Sequence, residues 1–265
     1  MQPPTAALTP GPSITYIVYM NGDYLWKKIY PRAVKAEKSF SMLEPKDRIL
    51  VGLSGGGDSL TLLHLLAFQR IRIGRSLNLE IFPAHIPGIV GGRPLADVEK
   101  LSDICRHLGL ELLLSKNTLS ESVFQDCFRC SQARRRMLFD LAEAHGCNKI
   151  ALGHNADDLV ETFLLNIFYS GRLAALCPRQ SVLRGSLILI RPLIYLWKSD
   201  IEDFARRHFG RVSTPTCPGA KDSRRLAIRR WLVRLSRNNR HIKRNLLKAV
   251  TNTKFEYLPV PFQRL

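Results

Sequence analysis

Several things are scarce in this sequence. No apolar run reaches the roughly 18 residues that a membrane-spanning helix requires. The best candidate, 186–197, is cut by Arg191 and Pro192, so no membrane association is expected. Residues 1–13 carry Pro and Thr but no Lys or Arg ahead of an apolar stretch, which is not the pattern of a secretory signal. Six cysteines in 265 residues are too few for a disulfide scaffold. In a reducing compartment they read as thiols or metal ligands, which points to the cytoplasm. Acidic residues are the other scarcity: 22 Asp and Glu stand against 40 Lys and Arg, for a net charge of +18. Hydrophobic residues are not scarce. At 45% they exclude disorder over the whole chain and suffice for one large domain or two small ones.

A field of that sign favours polyanions, nucleic acid before an anionic membrane. The charge is also clustered. From Arg224 to Lys254 there are eleven Lys or Arg and no Asp or Glu. A solvated face normally mixes signs, so this segment reads as a polyanion-binding tail of one or two basic helices. Trp231, Leu232, Leu235, Leu246, Leu247 and Val250 are its expected packing stripe.

Upstream, strands alternate with helices. The run 48–53 (RILVGL) reads as a buried parallel strand, with further strands at 79–84, 110–115, 149–153 and 187–191. Helices are expected at 33–43, 60–68, 94–108 (closed by Gly109), 131–145 (stopped by Gly146) and 158–169. Another runs from a capping box at Ser199 and Glu202 to His208. The pattern predicts an α/β fold, a doubly wound parallel sheet with a basic helical C-terminal extension. Such sheets bind ligands beyond the C-terminal ends of their strands. The expected domains are 1–45 (leader and helix), 46–212 (the α/β domain) and 213–265 (the basic helical region).

Between the first strand and its helix stands Ser54-Gly55-Gly56-Gly57-Asp58-Ser59. Glycines let the backbone turn sharply and approach a ligand. Loop amides and the helix N-terminus form an anion nest, to which Ser54 and Ser59 add hydroxyls. Asp58 suits this setting if it holds Mg²⁺ on a phosphate. After the fourth strand, Gly153-His154-Asn155-Ala156-Asp157-Asp158 is followed by Glu161 and Thr162. Gly153 and His154 read as nucleotide contacts. Asp157 or Asp158 reads as a Mg²⁺ ligand or proton-handling group, although paired acids at a helix start are also explained by the dipole alone.

Cys127-Phe128-Arg129-Cys130 is a C-x-x-C that can chelate a metal or a cluster edge. It follows a third strand and a loop, which makes thioredoxin-type exchange the weaker reading. Cys217 is the available third ligand. Three thiolates with an open fourth position suit an iron–sulfur cluster better than structural zinc. Cys105, Cys147 and Cys177 read as small buried hydrophobes. Arg134, Arg135 and Arg136 are divided evenly between nucleic-acid contact and a solvated helix face.

Taken in order, these segments resemble the tRNA 2-thiocytidine synthetase family of PP-loop ATP pyrophosphatases, whose fold is adenine nucleotide alpha hydrolase-like. The resemblance rests on Ser54–Ser59, Cys127/Cys130 with Arg134–Arg136, Leu152-Gly153-His154 with Asp157, Asp158, Glu161, Thr162 and Asn166, then Tyr169 and Gly171, Ile190-Arg191-Pro192-Leu193, and Cys217. It spans roughly 31–252. It implies an ATP-dependent sulfurtransferase that adenylates the C2 oxygen of an anticodon-loop cytidine and replaces it with sulfur. The implied cofactors are ATP, Mg²⁺ and a [4Fe–4S] cluster on Cys127, Cys130 and Cys217. The implied partners are tRNA, a sulfur donor such as a cysteine desulfurase, and a second copy of the chain. Arg134–Arg136, Arg224, Arg225, Arg229 and Arg230 would hold the tRNA. Alternatives are a 2-thiouridine synthetase, a lysidine-type tRNA ligase or a non-catalytic tRNA-binding relative. Where the family usually has Lys this chain has Gly57, and the segment 82–88 lacks the family's Asp.

Overall fold

The computed structural model describes residues 23–72, 77–210 and 224–257. Cys217 and residues 1–22 of the expected leader-and-helix segment 1–45 lie outside them. The described residues form two compact units: one from 23–72, 77–155 and 177–210, the other from 156–176 and 224–257.

The first unit holds a six-stranded sheet of order β5-β2-β1-β6-β8-β7. Its strands are β1 (Arg48–Leu53), β2 (Glu80–His85), β5 (Leu113–Leu114), β6 (Lys149–Ala151), β7 (Arg179–Val182) and β8 (Leu187–Ile190). A separate hairpin joins β3 (Ile89–Val90) to β4 (Arg93–Pro94). Within the six-stranded sheet all pairings are parallel except β7 on β8. The antiparallel β7 was not read from the sequence, because its residues RQSV carry no apolar alternation. The strand order reverses between β1 and β6, and in open α/β sheets the crevice beyond such a switch point is where ligands sit.

Helices cover both faces. On one, α1 (Tyr24–Ser39), α2 (Gly57–Arg72) and α6 (Lys198–Phe209) meet around Trp26. The Trp26 ring centroid lies 5.0 Å from that of Phe68 and 5.7 Å from that of Phe204. On the other, α4 (Cys127–Ala144) packs Leu138, Leu141 and Ala142 onto Leu50, Ala84 and Ile150. The short helix α3 (Val98–His107) is capped by the Asp97 side chain, which accepts from the Lys100 amide.

Element boundaries moved for local reasons. Helix α1 starts well before the expected 33–43 and carries Pro31 inside it, a residue that removes a donor and hides the helical signal. Pro94, expected to open a helix, sits in the β4 hairpin instead. The capping box at Ser199 does not form: α6 starts at Lys198 behind Trp197, which makes no side-chain cap. Helix α4 begins earlier than expected, because the Asp126 carboxylate accepts from the Phe128 and Arg129 amides. The C-x-x-C therefore opens a helix. Cys105 and Cys147 are buried as expected, but Cys177 is exposed and donates to the Arg179 carbonyl.

The second unit is helical: α5 (Ala156–Ser170), α7 (Arg224–Asn238) and α8 (Ile242–Thr251). Its core is Val160 and Leu164 against Ile228 and Leu232, with Leu246 and Leu247 beside them. Trp231, expected in the packing stripe, is 41% exposed. Helix α5 thus groups with the C-terminal helices, although it lies inside the segment 46–212 read as one domain. Among the described residues no helix is long and apolar enough to cross a membrane.

One buried ion cluster ties β6 to the entry of β1. Lys149 is fully buried, with Nζ 2.8 Å from Asp47 Oδ2 and 2.8 Å from Glu44 Oε2, and it donates to the Met42 carbonyl. Removing one member of such a cluster leaves an uncompensated buried charge. Lys149→Met is expected to lower unfolding stability by about 3–5 kcal/mol in urea titration. Adding Asp47→Asn should restore part of that loss.

Candidate functional site

The glycine loop turns from β1 into α2, whose first residue is Gly57. Its hydroxyls brace it internally. Ser54 N donates to Ser59 Oγ at 3.2 Å, Ser59 Oγ donates to the Gly56 carbonyl at 2.9 Å, and Gly56 N donates to Ser54 Oγ at 3.2 Å. Two of its glycines leave no room for a side chain. Gly55 has φ +79°, and a Cβ there would stand 2.7 Å from Ala96 Cβ. A Cβ on Gly57 would stand 2.8 Å from Ala205 Cβ on α6. After β6, a Cβ on Gly153 would meet the Asp58 carbonyl carbon at 3.0 Å and the Ser59 nitrogen at 3.1 Å. Backbone from β1, α2 and β6 therefore meets at the switch point, with the positive end of α2 aimed there.

The same edge carries a cation that sequence reading missed. Lys198 Nζ, on the first residue of α6, lies 2.5 Å from Asp58 Oδ2. The only available signal was its place before a predicted helix. The separation of 140 residues hid the contact. His85, in the segment where the family's Asp is absent, closes β2. It is buried and its Nδ1 donates to the Leu53 carbonyl at 2.8 Å. Burial first, then the nearby Arg134 charge, holds its pKa below the usual histidine value, against the opposing effect of that hydrogen bond.

Helix α4 starts next to this edge. Cys127 and Cys130 are its first and fourth residues, one turn apart. Cys130 is buried among Ile86, Val90, Leu95, Leu119 and Phe124. Ile86 directly follows β2, and Leu95 directly precedes the Ala96 that faces Gly55. The C-x-x-C and the glycine loop thus share the carboxyl end of one sheet. Two cysteines one turn apart at a helix start, with Cys130 in apolar surroundings, suit an iron–sulfur ligand set. The third thiol of the expected set, Cys217, lies outside the described residues, and among these no group of three metal-binding side chains occurs. Arg134 turns inward over the Phe124 ring, at 5.8 Å, while Arg135 and Arg136 are exposed.

In the second unit the acids of α5 are occupied by cations. Glu161, 2% exposed, accepts from Arg229 Nε at 2.7 Å and Nη2 at 3.1 Å, a bidentate pair. Arg225 lies 3.4 Å from Glu161 and 3.8 Å from Asp158. Lys243 Nζ lies 2.6 Å from Asp157. Hydrogen bonding to Glu161, with the pull of Asp158 and Asp157, raises the Arg229 pKa despite its partial burial. Asp157 and Asp158, expected on Mg²⁺, and Arg225 and Arg229, expected on RNA, here bind one another's helices. Arg224 and Arg230 are exposed.

Sheet order, switch point and Ser-Gly-Gly-x-Asp-Ser loop together define a PP-loop nucleotide-binding protein. The family model described as a PP-loop domain matches residues 30–235. The chain is 36% identical over 241 residues to the tRNA-cytidine(32) 2-sulfurtransferase of Geobacter metallireducens, covering 88% of this chain and 92% of that one. It is 35% identical over 250 residues to the protein of the same name from Geobacter sulfurreducens, covering 91% and 95%. Among solved structures, the U34-tRNA thiolase NcsA of Methanococcus maripaludis, determined with its [4Fe–4S] cluster, has a TM-score of 0.66 at 18% identity. That likeness covers 86% of this chain and 78% of that one and is one of fold. The chain belongs to the PP-loop family, in its tRNA 2-thiocytidine synthetase branch.

Gly55→Ala combines a left-handed backbone with a contact on Ala96 closer than real Cβ atoms make. It is expected to cost about 1–3 kcal/mol of stability and to abolish ATP binding measured by calorimetry.

Proposed function

We propose that this chain is an ATP-dependent tRNA sulfurtransferase that adenylates the C2 oxygen of a cytidine and replaces that oxygen with sulfur. One observation carries the reading. A phosphate-binding loop and a helix-opening C-x-x-C lie at the same end of the same sheet. The activity named for the 36%-identical relative supports it. Carbonyl oxygen is a poor leaving group. Transfer of AMP to it, with pyrophosphate departing, makes a good one that sulfur then displaces.

The loop amides and the α2 N-terminus would take the departing pyrophosphate, a fixed dipole set where negative charge develops. Lys198 would supply the cation that the loop itself lacks. Ala205 closes position 57 to a longer side chain, and the same helix α6 delivers an ammonium group beside Asp58 instead. Asp58 would hold Lys198 in place and, with Mg²⁺ present, share the phosphates with it. Gly153 gives the backbone clearance this needs. Cys127, Cys130 and Cys217 would hold a [4Fe–4S] cluster, which when bound supplies a sulfur that is anionic at neutral pH. Cys130's apolar neighbours exclude water there. Asp157 and Asp158 are better suited to anchoring α7 and α8 than to proton transfer, since each already faces a cation. The reading places the protein in the cytoplasm with a cysteine desulfurase as sulfur donor, working as a homodimer.

Anaerobically purified protein is expected to be brown, to bind iron and sulfide, and to incorporate sulfur into tRNA cytidine with ATP. Cys217→Ser should lose colour and thiolation while still releasing pyrophosphate from ATP and tRNA. A colourless Cys217→Ser variant that thiolates normally would overturn the reading. Lys198→Ala is expected to raise KM for ATP about 10- to 100-fold, the loss of one charge-assisted phosphate contact, in steady-state pyrophosphate assays.

A further inference from the structure

Four large aromatic side chains of the second unit are exposed among the described residues, and three of them stand on α5 and α7: Phe168 at 54%, Tyr169 at 47% and Trp231 at 41%. Phe168 and Tyr169 end α5, and Trp231 stands on α7. They are organised rather than scattered. The Phe168 and Trp231 rings meet edge to face, with centroids 5.5 Å apart and planes at 85°. The Arg224 guanidinium lies 4.8 Å from the Tyr169 ring centroid. None of the three is needed for the core, which Ile228 and Leu232 of α7 form with Val160 and Leu164. Arg224, Trp231 and Arg234 recur at spacings of seven and three, which places them along one exposed stripe of α7. No acidic residue occurs anywhere from Arg224 to Lys254.

We infer that Phe168, Tyr169 and Trp231, framed by Arg224 and Arg234, form a platform on which an unpaired tRNA base stacks. An aromatic face with arginines beside it matches a splayed nucleotide in both its parts, the base by stacking and the phosphate by charge. Charge complementarity selects this occupant over a second copy of the chain. A two-fold contact would press this acid-free, arginine-lined surface against itself. Arg225, Arg229 and Lys243 are held by the acids of α5, so the outward arginines and the rings are what the unit offers to a ligand. The inference rests on the tRNA reading above and adds which surface receives the loop.

The chain has three tryptophans, of which Trp26 is buried, Trp197 is partly buried and Trp231 is exposed. Tryptophan fluorescence of the full chain is titrated with whole tRNA and with a single-stranded RNA heptamer. Both are expected to quench it, and Trp231→Phe should remove most of that quench. Trp231→Ala should weaken tRNA binding about 5- to 100-fold in filter binding, the range for loss of one stacked base. Its log-affinity against log-salt slope should stay unchanged, whereas Arg234→Ala should lower the slope by roughly one. Thermal unfolding within a few degrees of the unsubstituted protein shows that these variants fold. Absence of quenching, with Trp231→Ala binding tRNA as tightly as the unsubstituted chain, overturns the platform and leaves the tRNA reading standing. Failure of the unsubstituted chain to bind tRNA at any salt overturns both. A dimer that dissociates on Trp231→Ala, with tRNA affinity unchanged, assigns the patch to a second copy and overturns the platform.

Discussion

The exclusion of side chains at three glycines governs the site. Position 55 is closed by Ala96, position 57 by Ala205 and position 153 by the backbone of Asp58 and Ser59. Each closure brings a different element against the turn from β1 into α2: the segment before α3, the helix α6, and the end of β6. Protein interiors do not absorb such overlaps cheaply. The loop is thereby fixed from three directions, and its amides are set before any ligand arrives. That prior arrangement is what makes backbone dipoles effective against developing negative charge, because no reorganisation is then required.

Closing position 57 also decides where positive charge enters. A lysine on the loop would have to pass Ala205, and its Cβ alone would overlap that methyl. The same packing of α6 that forbids it carries Lys198 to the loop's own carboxylate. An ammonium held by Asp58 is a compact charge on a flexible stem, suited to sharing phosphate oxygens as a point charge. Loss of a charge at one position and its supply from a helix 140 residues away are thus consequences of one helix contact.

The fold was legible because its signals are local. The run at 48–53, the glycine-rich loop 54–59 behind it and the Gly109 and Gly146 stops all appear where the sequence places them, with φ of +63° at Gly109 and +61° at Gly146. Most of what failed depended on partners distant in the chain. The antiparallel β7 is polar and is a strand only because β8 pairs with it. Trp231 looked like a core residue by spacing but is exposed, whereas Leu232 of the same expected stripe packs, together with Ile228. The Ser199 capping box was outcompeted when α6 began at Lys198. The loop and the C-x-x-C were visible as motifs, but the Lys198–Asp58 pair and the Glu161 clamp were not, since a charge on a helix does not announce its partner.

The Glu161 clamp changes how the net charge of +18 should be read. A basic segment without acids looks wholly available to a polyanion, yet Arg225, Arg229 and Lys243 face Glu161, Asp158 and Asp157. A buried carboxylate is tolerable only when its charge is matched, and a bidentate guanidinium matches it best. Helix α5 therefore selects, from a uniformly basic pair of helices, the cations that will hold α7 and α8 in place. Arg224, Arg230 and Arg234 remain outward. Orientation of the basic helices is thus an electrostatic outcome as much as a hydrophobic one. The small Val160–Leu232 core on its own has few residues with which to define which face of α7 turns to solvent.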